Sequence, residues 1–195
     1  AIELGYPVVL KVASDDIPHK SGLGLVATDL ADEVALSAAF ERMSETLSNM
    51  PQPVAETVFV VQRMVENGLE LFVGVNRDPD FGLVLAFGVG GILVEVFDEV
   101  ALRPLPLRKG DAEAMIEETW ARILLDAVRG APARDKEALW RCLYALADFA
   151  WAERDSLQEL DLNPVIALPE GEGCVIVDAL IIPRRNVAGG TNGSG

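Results

Sequence analysis

Apolar residues recur along this chain in short β-branched runs and in a few helical stripes, and the two periods give an order of elements. Pro7 to Val12 is a β-branched run that predicts a buried strand, with one lysine, Lys11, inside it. Ala13 to Lys20 is polar, holds Asp15, Asp16 and Pro18, and predicts a loop. Leu23 to Leu30 predicts a second strand, and Thr57 to Val65 a third. Between them Asp32 is placed to cap a helix from Glu33 to Ser48, with Val34, Ala38, Met43 and Leu47 along one face. Asn49-Met50-Pro51 ends that helix. Asn67-Gly68 is a hairpin or turn signal.

Leu69 to Asn76 alternates as a strand, Arg77 to Gly82 is a turn, and Leu83 to Phe87 is a further strand broken by Gly88 to Gly91. Short extended pieces follow at Ile92 to Phe97 and Val100 to Leu102. Asp111 is placed to cap a helix reaching about Val128, with Met115, Ile116, Ile123 and Leu124 inward. A second helix runs from Asp135 to Ala152, with Leu139, Leu143, Leu146 and Ala150 on one stripe. Strands at Leu157 to Ala167 and Cys174 to Ile182 close the pattern, and the tail from Asn186 to Gly195 has none. Strands grouped together, with helices between the groups, predict an α+β fold of mainly antiparallel sheets. The expected organisation is a smaller lobe over 1–66, a larger one over 67–184, and a disordered end over 185–195. The start of the chain, one turn before a strand, points to a piece of a longer protein.

Half of the 195 residues are hydrophobic, enough for a substantial core, yet no apolar run reaches the roughly 20 residues that span a bilayer. No secretory leader is visible. The formal charge of −15 argues against nucleic acid or an anionic membrane as partner, since both need clustered Lys and Arg. Cys142 and Cys174 lie far apart inside apolar segments and form no metal-ligand motif, which suits a reduced, cytoplasmic setting.

Several residues carry candidate chemistry. A lysine inside an apolar strand is costly to bury without a partner, so Lys11 either reaches phosphate or snorkels from an edge. Glu159, Asp161 and Asn163, at alternate positions, point to one face if their segment is a strand, and Asp178 lies on the neighbouring strand. Three acids and an amide would make a hard oxygen site suited to Mg²⁺. His19, the single histidine, sits in the polar loop and can be neutral and nucleophilic near pH 7. Gly88-Val89-Gly90-Gly91 lacks the Lys-Ser/Thr ending of a P-loop.

Four segments in order, GYPVVLKVASDDIPHKSGLGLV, VVQRMVENGLELFVGVNRDPDFG, FGVGGILVEVFDEVALRPLPL and LQELDLNPVIA with VIVDALI, resemble the ATP-grasp domain of ADP-forming (NDP-forming) acyl-CoA synthetases. This is the superfamily of the succinyl-CoA synthetase β subunit. The resemblance covers roughly residues 4–182 and implies two α+β lobes that hold ATP. It implies that Lys11 contacts the phosphates and that Gln62, Arg63, Met64 and Val65 form the strand whose backbone reads adenine. Glu70 would hold the ribose hydroxyls. Gly90, Gly91 and Arg103 would line the phosphate end. Asn163 and Asp178 match the Mg²⁺ ligands, and Asp161 the carboxylate that positions a phosphohistidine. His19 matches the histidine of a loop that carries a phosphoryl group between a partner domain and ADP. The implied cofactors are ATP/ADP and Mg²⁺, and the implied partners are the CoA-binding and ligase domains, on this chain or another.

The loop departs from the family pattern, His-Lys-Ser-Asp-x-Gly-Gly. Gly22 stands in place of the acid and Leu25 in place of the second glycine. A second reading follows, a non-catalytic regulatory module fused to a CoA-binding or acetyltransferase protein. A third, an amide-forming ATP-grasp ligase, has no use for a phosphohistidine loop.

Overall fold

The computed structural model describes residues 1–14, 23–51, 57–91, 99–127 and 132–184. It divides the chain into two compact units, Ala1–Glu66 and one beginning at Asn67.

The first unit is a three-stranded antiparallel sheet in the order β2-β1-β3, built from β1 (Val8–Ala13), β2 (Val26–Leu30) and β3 (Val58–Arg63). One helix, α1 (Glu33–Ser48), closes it. Val8, Leu10 and Val12 of β1 are buried with Leu25, Leu30, Ala39 and Met43. Asp32 caps α1 as expected, its Oδ1 accepting from the Ala35 N–H at 2.8 Å. The buried stripe differs from the expected one. It runs through Ala35, Leu36, Ala39, Met43 and Leu47, whereas Val34 is 78% exposed. Val34 lies one residue, about 100° of helical turn, off that stripe.

The second unit has a six-stranded antiparallel sheet. It comprises β4 (Leu69–Asp78), β5 (Gly82–Val89), β6 (Val100–Pro104), β7 (Leu157–Ala167), β8 (Cys174–Ile176) and β9 (Ala179–Pro183). The order is β6-β5-β4-β7-β8, and β9 also pairs with β7. The β4–β5 turn is built by Asp78, whose Oδ1 accepts from the Asp80 and Phe81 N–H groups at 2.8 and 2.9 Å, and by Gly82 at φ +75. Asn67-Gly68 is no hairpin, because the strands it separates, β3 and β4, belong to different sheets.

Helices α2 (Asp111–Glu117), α3 (Ala121–Leu124) and α4 (Lys136–Ala152) cover one face. Leu71, Val73, Val75, Leu83, Leu85, Phe87 and Val89 point from β4 and β5 into a core shared with Met115, Ile116, Leu139 and Leu143. The long helix expected after Asp111 is two short ones, and its N-cap is Gly110. Thr119, 2% exposed, turns its hydroxyl back to the Ile116 carbonyl at 3.1 Å and replaces a helical rung, so the chain bends and Ile123 is left 39% exposed. Asp135 caps α4 through Ala138 N–H at 2.9 Å, and its other oxygen accepts from Gly171 and Gly173 at 3.1 and 3.0 Å. Those three bonds hold its carboxyl below the usual range, the cap bond first. The strand expected from Cys174 to Ile182 is broken at Val177-Asp178. Among the described residues no helix is long and apolar enough to cross a membrane.

Candidate functional site

In the first unit the pleat sorts the side chains of β1. Val8, Leu10 and Val12 face the core, so Val9 and Lys11 point to the opposite face. Lys11 is only 8% exposed, flanked by Val26 on β2 and Val60 on β3. Gln62 is the β3 partner of Val9, which puts it on the same face as Lys11 and one diagonal away. Its Oε1 is buried and accepts no hydrogen bond among the described residues. An acceptor in that state is one of the rarer features of a folded protein and asks for a donor. Arg63 does not join this face. It pairs with Val8, and its Nε donates to the Leu4 carbonyl at 3.1 Å. Met64 makes the last rung, N–H to Pro7 O at 3.2 Å, before Val65.

In the second unit Leu160 and Leu162 face the helices, so Asp161 faces away from them. It lies opposite Gly74 of β4 and Leu180 of β9. A Cβ on Gly74 would stand 3.7 Å from Asp161 Oδ1, which puts the carboxylate directly beside the β4 backbone at Gly74. Next along β7 comes a bulge: Leu71 pairs with Val165 and Val73 with Leu162, leaving Asn163 and Pro164 against Phe72 alone. The break between β8 and β9 falls at the same level. Asn163 N–H donates to Asp178 O at 3.2 Å, and Val177 N–H to Pro164 O at 3.0 Å. Asn163 and Asp178 are therefore direct neighbours, with Asp161 close behind.

Glu159 is not part of that group. It sits a further pair along, opposite Asn76 and Ile182. Among the described residues no three acids, histidines or cysteines come near enough to share a metal ion. The expected convergence of three acids is thus reduced to Asp161, Asn163 and Asp178. Two carboxylates and an amide oxygen still fit Mg²⁺, an ion that keeps several waters and takes phosphate oxygens as ligands.

Glu70 and the glycine turn belong together. Gly90 N–H donates to the Glu70 carbonyl at 2.9 Å. A Cβ on Gly90 would lie 3.0 Å from the Leu71 carbonyl carbon, and one on Gly91, at φ +63, would lie 2.5 Å from Glu70 Oε2. Only glycine allows this approach. Arg103 is elsewhere. It pairs with Leu85, on the helix-covered face, and its guanidinium meets Glu118 at 2.5 Å, a partner that raises its pKa. The sheet thus separates Arg103 from Asp161 and Asn163, which point to the other side. His19, with Lys20, Ser21 and Gly22, lies outside the described residues. One feature escaped the sequence reading: the buried Gln62 Oε1, which accepts no hydrogen bond among the described residues.

A family model described as the ATP-grasp domain matches residues 1–182. The chain belongs to the ATP-grasp family. It is similar to the ADP-forming acetate–CoA ligase II subunit β of Pyrococcus furiosus, 37% identical over 93% of this chain and 77% of the relative. It is also similar to the ADP-forming acetate–CoA ligase I of Archaeoglobus fulgidus, 38% identical over 90% of this chain but only 25% of the relative. Among solved structures, the acetyl-coenzyme A synthetase 1 of Ca. Korarchaeum cryptofilum aligns over 94% of this chain and 79% of its own, with 39% identity and a TM-score of 0.72. That structure holds coenzyme A and Mg-AMPPCP, with a phosphohistidine segment pointing towards the nucleotide binding site. The ATP-grasp fold, α+β with mostly antiparallel sheets, is the one expected, and this chain's relatives are ADP-forming ligases of coenzyme A. The chain spans three quarters of the subunit it resembles and one quarter of the single-chain enzyme.

Proposed function

We propose that this chain is the nucleotide-handling part of an ADP-forming acyl-CoA synthetase, working in the cytoplasm with CoA-binding and ligase domains on the same or another chain. The observation that carries the reading is Lys11, a charge held 8% exposed on a sheet face it shares with the open acceptor of Gln62. A buried cation next to an unfilled acceptor suits an anionic ligand that also carries an N–H donor, as an adenine nucleotide does.

Lys11 neutralises phosphate charge. Gln62 Oε1 accepts from the adenine amino group, while the backbone from Arg63 to Val65 reads the ring edge. Glu70 accepts from the ribose hydroxyls, held in place by Gly90 and Gly91. Asn163 and Asp178 hold Mg²⁺, which offsets charge on the transferring phosphoryl group. Phosphoryl transfer needs in-line placement and charge neutralisation more than covalent help from the protein, so these groups are the appropriate kind. His19 carries the phosphoryl group: its ring nitrogen attacks phosphorus, and ADP leaves. The reverse step, ADP attacking the phosphohistidine, regenerates ATP. Asp161 positions that histidine. Arg103 has no part in this account. Alone, without the CoA-binding and ligase domains, the chain makes no thioester.

The test is labelling with γ-³²P ATP and Mg²⁺ in the full-length protein. Acid-labile label on His19, absent from His19→Asn, is the expected result. The altered loop, with Gly22 and Leu25, favours a second reading, the regulatory module, and nucleotide binding without any label is its outcome.

A further inference from the structure

The nucleotide reading leaves unused the only two cysteines, one on α4 and one at the start of β8. Cys174 Sγ donates to the Ala138 carbonyl at 3.7 Å. Ala138 is one turn before Cys142 on α4, and helical side chains lean toward the N-terminus, so the Cys142 thiol projects onto that same turn. The two thiols therefore sit side by side against the Ala138 turn, close enough that each is the leading influence on the other's ionisation. Both are free and half-buried, within reach of a molecule as small as a peroxide. We propose that Cys142 and Cys174 are a modification site, an oxidisable thiol pair that hydrogen peroxide closes into a disulfide between α4 and β8.

The surroundings make the two sulfurs unequal. The contact with Cys142 is the main cause that lowers the Cys174 thiol to about 7, against burial and Asp135, which raise it. The same contact, with burial, pushes Cys142 well up. Cys174 is therefore the attacking thiolate and Cys142 the resolving thiol. The Cys174 sulfur attacks one peroxide oxygen, the O–O bond breaks, and hydroxide leaves and is protonated to water. The Cys142 sulfur then attacks the sulfenic sulfur. The S–S bond forms, the S–O bond breaks, and a second water leaves with the Cys142 proton. Two thiols are oxidised, one peroxide is reduced, and two waters result. The bond closes a loop of roughly 30 residues that contains β7, and should raise the Tm by on the order of 10 °C.

The experiment treats the reduced full-length protein with hydrogen peroxide, blocks remaining thiols, and maps peptides by mass spectrometry. The expected product is a Cys142–Cys174 crosslinked peptide, two hydrogens lighter than its parts, with a raised Tm that dithiothreitol reverses. In Cys142→Ser the reaction should stop at a Cys174 sulfenic acid that dimedone traps. Cys174→Ser should give neither crosslink nor dimedone adduct. Two thiols still open to alkylation after peroxide, crosslinks only between chains, or a dimedone adduct on Cys142 would each overturn the proposal.

Discussion

Gly91→Ala probes the coupling between the glycine turn and Glu70. Gly91 stands at φ +63, and a Cβ there lies 2.5 Å from Glu70 Oε2 and 3.3 Å from its carboxyl carbon. The first distance is shorter than any real contact, and the left-handed backbone itself costs alanine about 1 kcal/mol. The side chain of Glu70 is the part that can yield, so its carboxylate moves off its position. If Glu70 accepts from the ribose, the displaced carboxylate loses a charge-assisted hydrogen bond of about 1.5–3 kcal/mol, roughly 10- to 150-fold in Kd. Calorimetry with Mg-ATP and Mg-2′-deoxy-ATP separates this from a general loosening. Wild type should prefer ATP, and Gly91→Ala should weaken ATP and erase much of that preference. Equal weakening of both nucleotides, with the preference intact, would refute the coupling. Glu70→Gln in the same assay separates the two links: if it leaves the preference intact, Glu70 does not read the ribose at all.

Other outcomes follow from the same geometry. Arg103→Met should leave Mg-ATP affinity unchanged and cost at most about 1 kcal/mol in urea unfolding, since its half-exposed pair with Glu118 lies on the far side of the sheet. Asp135→Ser should keep the α4 cap but lose the bonds from Gly171 and Gly173, lowering stability by about 1 kcal/mol and the Tm by roughly 2–4 °C. Asp135 has a depressed folded pKa, so its contribution is present above the unfolded carboxylate range and is lost as pH falls through the folded value. The wild-type and Asp135→Ser Tm values should therefore converge in acid and differ at neutral pH.

Local signals settled much of the fold. β7 spans Leu157–Ala167 as its pattern predicts, and α4 ends at Ala152 behind the Asp135 cap. What failed depended on partners distant in sequence. Nothing near Val34 says that the sheet takes the stripe one residue over. The break at Val177-Asp178 answers a bulge at Asn163-Pro164, which exists only once β4 is paired with β7. The ordered motifs made the candidate site legible, but parity did not come with them. Arg103 lies between exposed Leu102 and Pro104 on an edge strand, and its face is fixed by pairing with Leu85, not by its neighbours. Glu159 has the right spacing from Asp161, yet the cross-strand bond that joins Asn163 to Asp178 lies at the other end of the segment.

The central claim is that Lys11 holds nucleotide phosphate, and titration of the full-length protein with ATP tests it most directly. Wild type should bind one nucleotide per ATP-grasp domain, with affinity that rises when Mg²⁺ is added. Lys11→Met, which fills the same buried space without the charge, should keep its circular dichroism spectrum and lose the binding. A folded Lys11→Met protein that binds Mg-ATP as tightly as wild type would contradict the account.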